Sequence, residues 1–191
     1  MNILRGLTFA SLQLTISFIA AGVSPSASGA AAQTAPELAE ARSPLVAKVR
    51  AATDKYQNVH AATSDGFVQA TPCVSGPDMG AMGIHYLRTD RINNGVLDVE
   101  EPEALIYEPQ PDGALRLVGV EYIVFASIWA TLHPNEGPPA LEDNLLNFID
   151  APNRYDLPAL FEMHVWAWET NPRGSFADWN THVTCAKQAA P

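Results

Sequence analysis

Basic residues are scarce in this chain: 11 lysines and arginines face 21 aspartates and glutamates, for a formal net charge of −10. A surface of that sign repels phosphate backbones and anionic lipid, and no basic stripe offsets it, so nucleic-acid binding is not expected. Beyond the first thirty residues no apolar run is long and uninterrupted enough to span a bilayer. A G-x-S-x-G elbow is missing, and Ser43, Ser64, Ser75, Ser127 and Ser175 sit in no recognisable nucleophile context. The glycine-rich stretch 76–83 matches neither a P-loop nor a dinucleotide fingerprint and reads as a tight turn. Nucleotide-dependent chemistry and serine hydrolysis are therefore not expected, and no catalytic residue is assigned from motif.

What is present begins with an address. Arg5 is a short positive region, residues 7–21 are mostly apolar, and 24–32 are small residues ending in Ala30-Ala31-Ala32. Charge, apolar core and small-residue exit in that order predict a secretory signal peptide over 1–32. The apolar run, about 15 residues, is short of the roughly 20 that a membrane anchor needs. The reading is export to the periplasm or outside, with no membrane span after cleavage. Residues 33–43 are small, acidic and proline-containing, a flexible lead-in, and 44–191 is expected to be a single domain.

The only two cysteines, Cys73 and Cys185, suit an oxidising compartment and are expected to form a disulfide. In the chain-entropy account a loop of roughly 110 residues contributes about 4–5 kcal/mol. A blue-copper alternative would use His182 near Cys185, but the six residues that follow hold no further histidine or methionine.

The fold class expected is α+β. Ser43-Pro44 marks a helix start, and Leu45, Val49, Ala52, Tyr56, Val59 and Thr63 recur at alternating spacings of four and three, the period of one helix of about 20 residues. Asp65-Gly66 supplies its stop. After Gly66 the texture switches to short β-prone runs at 82–87, 104–108, 115–125 and 161–168, the second and third joined by the turn 109–113. In the third, Val118, Val120, Tyr122 and Val124 are expected on one side, with Leu117, Gly119, Glu121 and Ile123 on the other, a strand covered on both faces. An N-terminal helix packed on an antiparallel sheet or half-barrel follows. The proline-rich stretch 133–158 is either a lid or a surface excursion.

Cys73-Val-Ser-Gly-Pro, Gly80-Ala-Met-Gly-Ile-His-Tyr86, Pro102-Glu-Ala-Leu-Ile-Tyr-Glu-Pro109, Val120-Glu-Tyr122, His164-Val-Trp-Ala-Trp168 and Phe176-Ala-Asp-Trp-Asn180 resemble segments of a group of exported bacterial proteins with no assigned activity. The resemblance covers most of 45–185. It implies a bacterial exported domain and transfers no functional residue.

Three polar residues interrupt apolar strands: His85, Glu121 and His164. A carboxylate inside a central strand is costly unless it is paired or bound to a metal. Two imidazoles and a carboxylate on one face form a recurrent ligand set for a divalent transition metal such as Zn²⁺, Fe²⁺ or Cu²⁺. The trio is therefore expected to converge, ideally with donor atoms within roughly 3–4 Å of one another. Glu162, two residues before His164, shares its face and is a fourth ligand or an orienting partner. Glu108 is a further candidate, while Arg116, Arg88 or Arg154 could pair with Glu121 instead. Trp166 and Trp168, expected on the face of Glu162, suggest with it a pocket for a small molecule. The favoured reading is an exported binding module for a small ligand or metal ion. The alternatives are a metal-dependent enzyme on His85, Glu121 and His164, or an envelope interaction domain without a pocket.

Overall fold

The computed structural model describes residues 43–188; the signal peptide expected over 1–32 and the lead-in up to residue 42 lie outside them. The first helix, α1 (Pro44–Thr53), starts where the sequence places it, with Pro44 in the first turn, though the Ser43 hydroxyl makes no capping bond. It does not run on to Ser64. A 3₁₀ turn at Asp54–Gln57 interrupts it, and Asn58 caps a second helix, α2 (Val59–Ser64), by accepting from the His60 backbone N–H. The break resets the helical phase, so Ala62 rather than Thr63 turns inward. Gly66, at φ +91°, ends the segment as expected.

The strands are β1 (Val68–Gln69), β2 (Val74–Gly76), β3 (Gly80–Leu87), β4 (Ala104–Pro109), β5 (Leu115–Phe125), β6 (Ala140–Leu141), β7 (Asn144–Leu145), β8 (Asn147–Ile149) and β9 (Leu160–Val165). A short helix α3 (Thr89–Ile92) follows β3, and α4 (Ala126–Leu132) follows β5. The main sheet is antiparallel in the order β1-β3-β4-β5-β9-β8, with β2 also paired to β3; β6 and β7 form a separate hairpin. The architecture is the α+β arrangement of a helix on an antiparallel sheet.

One face carries the main core. Leu45, Val46 and Val49 of α1 and Tyr56 pack with Ile84, Leu105, Tyr107, Val120, Tyr122 and Met163. Leu141 and Leu146 join them, so part of the stretch 133–158 is core rather than surface excursion. The alternation expected in β5 is corrected at one point. Ile106 pairs with Gly119 but Tyr107 with Leu117, which leaves Val118 as an extra residue in β5. This β-bulge moves Leu117 onto the main core with Val120 and turns Val118 to the other face.

The second face holds two smaller apolar clusters. Ala81, Ile106, Val118, Trp166 and Val183 form one; Ile92, Ala104, Ile123 and Leu160 form the other. The C-terminal segment covers the first of these. It is fastened by the Cys73–Cys185 disulfide, Cα–Cα 5.5 Å, and by an isolated bridge between Ala81 and Asn180. Gly80 makes that bridge possible: at φ +82°, an added Cβ would lie 2.0 Å from the Asn180 carbonyl oxygen. Among the described residues no helix is long and apolar enough to cross a membrane.

Candidate metal centre

The two apolar clusters of the second face leave a polar belt between them, and the register shows why. On β3 the inward order is Ala81, His85, Leu87; on β5 it is Val118, Glu121, Ile123; along β9 and the residue that follows it, it is Leu160, His164, Trp166. In each strand the polar residue falls between a member of one cluster and a member of the other. Glu121 stands directly opposite His164 across the β5–β9 ladder and opposite Ala104 across β4–β5. His85 stands opposite Ile106, so it and Glu121 meet diagonally across β4. Gly119 permits the approach of β9, since a Cβ there would sit 2.8 Å from the Val165 carbonyl oxygen.

His85, Glu121 and His164 are 6%, 9% and 2% exposed, and their donor atoms lie within 4.8 Å of one another. His85 Nε2 is 3.5 Å from Glu121 Oε2, and the two imidazole rings cross nearly at right angles with centroids 5.8 Å apart. Four ligands on bonds of about 2.0–2.1 Å would stand roughly 3.3 Å from each other. The 3.5 Å between His85 Nε2 and Glu121 Oε2 is close to that spacing.

Both histidines are held from behind. His164 Nδ1 and Glu162 Oε2 are 2.9 Å apart, both buried, which directs Nδ1–H to the carboxylate and leaves Nε2 facing the trio. Among the described residues His164 Nε2 is the one buried side-chain nitrogen or oxygen without a hydrogen-bond partner. Thr71 Oγ1 accepts from the His85 backbone N–H and lies 3.3 Å from His85 Nδ1, so it fixes both strand and ring. Glu162 is steadied in turn by the Asn147 side-chain amide, which also reaches Asp178. Glu162, His164 and Asp178 form a second potential donor group that shares His164 with the first.

The electrostatics separate the two histidines. Burial and the neighbouring His164 push His85 down to about 3, so it is neutral at ordinary pH. Burial also opposes charge on His164, but Glu121 and Glu162 outweigh it and hold the imidazole up to about 9. Burial pushes Glu121 upward. With no ion bound, the proton therefore favours the His164 imidazole over that of His85. A cation of higher charge can displace the His164 proton.

The trio opens onto a cavity of about 250 Å³ whose remaining wall is mostly apolar, including Met82, Ile123, Ile149, Leu157 and Leu160. Glu162, Asp178 and Tyr155 also line it. Leu157 and Tyr155 come from the loop between β8 and β9, so the second part of the stretch 133–158 forms a cavity wall.

Trp166 and Trp168 are not in that wall, contrary to the sequence expectation. Strand β9 ends at Val165, and strict alternation ends with it. Trp166 stacks on His164 in a small cluster and donates its N–H to the Ala177 carbonyl. Trp168 packs against the main core on the opposite face and donates to Thr53 Oγ1. Glu162 of that group does line the cavity. Glu108 is committed elsewhere: it pairs with Arg116, which also holds Glu169, and accepts from the Thr184 backbone N–H. Arg88 pairs with Asp90, and Arg154 lies over the Tyr155 and Trp179 rings, so neither competes for Glu121. Cys185, being disulfide-bonded, is no thiolate ligand.

Thr71, Asn147, Tyr155 and Asp178 escape sequence reasoning, since each reaches the site from a loop or a short edge strand. The one signal available is the segment Phe176-Ala-Asp-Trp-Asn180, which contains Asp178 and is expected from the sequence to resemble exported bacterial proteins. No family model, curated protein or solved structure matches the chain, so its site stands on its own geometry.

Proposed function

We propose that the protein is an exported metal-binding protein in which His85, Glu121 and His164 hold a divalent transition-metal ion. The observation that carries the reading is the unpartnered Nε2 of His164, buried and facing a neutral imidazole and a carboxylate. A buried polar atom left without a partner costs about 1–3 kcal/mol, and a nitrogen aimed at two other donor atoms is what an incoming cation uses once it has displaced the proton there. The support behind it is of the kind that metal sites use. Glu162 on Nδ1 sets the tautomer and raises the basicity of Nε2, and Thr71 orients His85. Two nitrogens and one oxygen fit Zn²⁺, Fe²⁺ or Cu²⁺ better than Ca²⁺ or Mg²⁺, which prefer all-oxygen shells. The leader-like first 32 residues and the disulfide support an oxidising, exported setting.

Elemental analysis of protein purified without chelator or affinity tag, followed by calorimetric titration with Zn²⁺ and Cu²⁺, tests this. One equivalent of ion per chain is expected, lost in His164→Ala. A folded, metal-free protein that takes up neither ion would overturn the proposal. The enzyme alternative has one point in its favour, since three protein ligands leave at least one coordination position for an exchangeable group.

A further inference from the structure

We propose that the cavity beside the trio is a chamber for a small uncharged molecule, which ligates the bound ion through one heteroatom and lays a compact apolar body against Met82, Ile123 and Leu160. This rests on the metal reading above and adds the class of the second ligand. Its first support is continuity. His85, Glu121 and His164 themselves line the cavity, so the coordination positions that they leave free open into it rather than into packed protein.

Size and lining set the body of the ligand. An apolar cavity of about 150 Å³ holds benzene; this one, at about 250 Å³, has room for a substituted six-membered ring. Its wall away from the metal trio is largely aliphatic, which favours an apolar body.

Charge sets the head. No lysine or arginine lines the cavity. A divalent ion there is already balanced by Glu121 and by Glu162 behind His164, and Asp178 adds a further acidic group. An anionic head would leave net negative charge in a mostly apolar chamber, a penalty of several kcal/mol. A cationic head would face the ion. A neutral heteroatom avoids both. Tyr155 supplies a donor for it: its hydroxyl bonds only to the Met82 sulfur at 3.2 Å, a weak acceptor that a ligand can replace.

The experiment loads the protein with Co²⁺, whose visible bands report its ligands, and titrates 4-methylpyridine, 4-methylbenzoate and toluene, matched in shape but neutral donor, anion and non-donor. Ala70→Phe narrows the chamber from an exposed wall position that bears no ligand, and Leu157→Trp does so from the opposite loop. 4-Methylpyridine is expected to shift the Co²⁺ bands and to bind at least tenfold more tightly than 4-methylbenzoate. It should weaken at least tenfold in whichever of the two variants retains one equivalent of Co²⁺. Failure of the parent protein to take up Co²⁺ would sink the metal reading and this inference together. Retained Co²⁺ with unchanged bands, with tighter binding of the anion, or with no effect of narrowing would overturn the chamber alone.

Discussion

Glu162→Gln is the sharpest perturbation of the site, because it alters the support of a proposed ligand and not the ligand itself. Glu162 Oε2 stands 2.9 Å from His164 Nδ1, with both side chains at or below 5% exposure, so solvent does not screen the pair. Glutamine keeps the volume and an acceptor oxygen, which preserves the ring orientation, but it removes the charge that makes Nε2 a stronger donor to a metal. Loss of such an outer partner typically weakens metal affinity 10–100-fold, or about 1.4–2.7 kcal/mol; full burial places this pair toward the upper end. Competition between the protein and a chromophoric chelator for Zn²⁺ measures the change directly. The stoichiometry should stay at one while the dissociation constant rises at least tenfold. Glu142→Gln, which removes only an exposed partner of Lys48, should leave it unmoved. A Glu162→Gln protein that binds Zn²⁺ within threefold of the parent would refute the assignment of Glu162 as the group behind the ligand.

Two further predictions test the frame. Glu103 is 1% exposed, its Oε2 accepts from the Ile123 N–H, and burial pushes its carboxyl up to about 8. A raised carboxyl pKa means that ionisation opposes folding, so stability is lost as pH rises from the unfolded value near 4.5 through the folded one. Glu103→Gln removes that loss, and in urea denaturation its advantage over the parent should widen by about 3 kcal/mol between pH 5 and pH 8; a constant gap would contradict the assignment. Replacing both cysteines of the Cys73–Cys185 bridge, which spans a separation of 112 residues, should cost about 2–5 kcal/mol. Hydrogen exchange should localise the loosening to the C-terminal segment over the Ala81–Trp166 cluster, and uniform loosening would argue that the segment is not held by the bridge.

The four long strands were legible because glycine and proline bracket short apolar runs, and the cysteine pair because only one pairing exists, whereas the short strands β1, β2, β6, β7 and β8 carry too few residues to show a pattern. The helix break was not legible: the apolar period runs through residues 54–58, and only the competing cap at Asn58 cuts it. Nor was the bulge at Val118, since an extra residue in the apolar stretch 117–120 leaves no mark on its pattern. His85, Glu121 and His164 could be singled out because a polar residue in a buried strand needs a reason, and that argument does not depend on register. Their meeting did depend on it, through the ladders that set Glu121 against His164 and bring His85 and Glu121 to within 3.5 Å diagonally across β4. Trp166 misled because it keeps the face of His164 but packs into the Ala81–Val118 cluster rather than the cavity, and Trp168 because two-residue alternation was extended past the last ladder pair. Asp178, Tyr155 and Thr71 arrive through loops, whose course no local pattern encodes.

The belt can also be tested for what it contributes to the fold itself. Breaking one partner of a buried ionic group is strongly destabilising, yet replacing the whole group with apolar residues of similar volume is often neutral or stabilising by about 1–4 kcal/mol. The belt sits between two apolar clusters on the same face, so apolar side chains in its place would join them into one. Glu162 must change with the trio, because it would otherwise be left buried without its imidazole. The combined variant His85→Leu, Glu121→Met, Glu162→Met, His164→Leu is therefore expected to fold, to resist urea at least as well as the metal-free parent, and to bind no Zn²⁺. That outcome would mean the four residues weaken the empty fold and are retained for what they bind. A variant that fails to fold, while His164→Ala folds and still takes up Zn²⁺, would instead make the belt a structural network and return both histidines to the core.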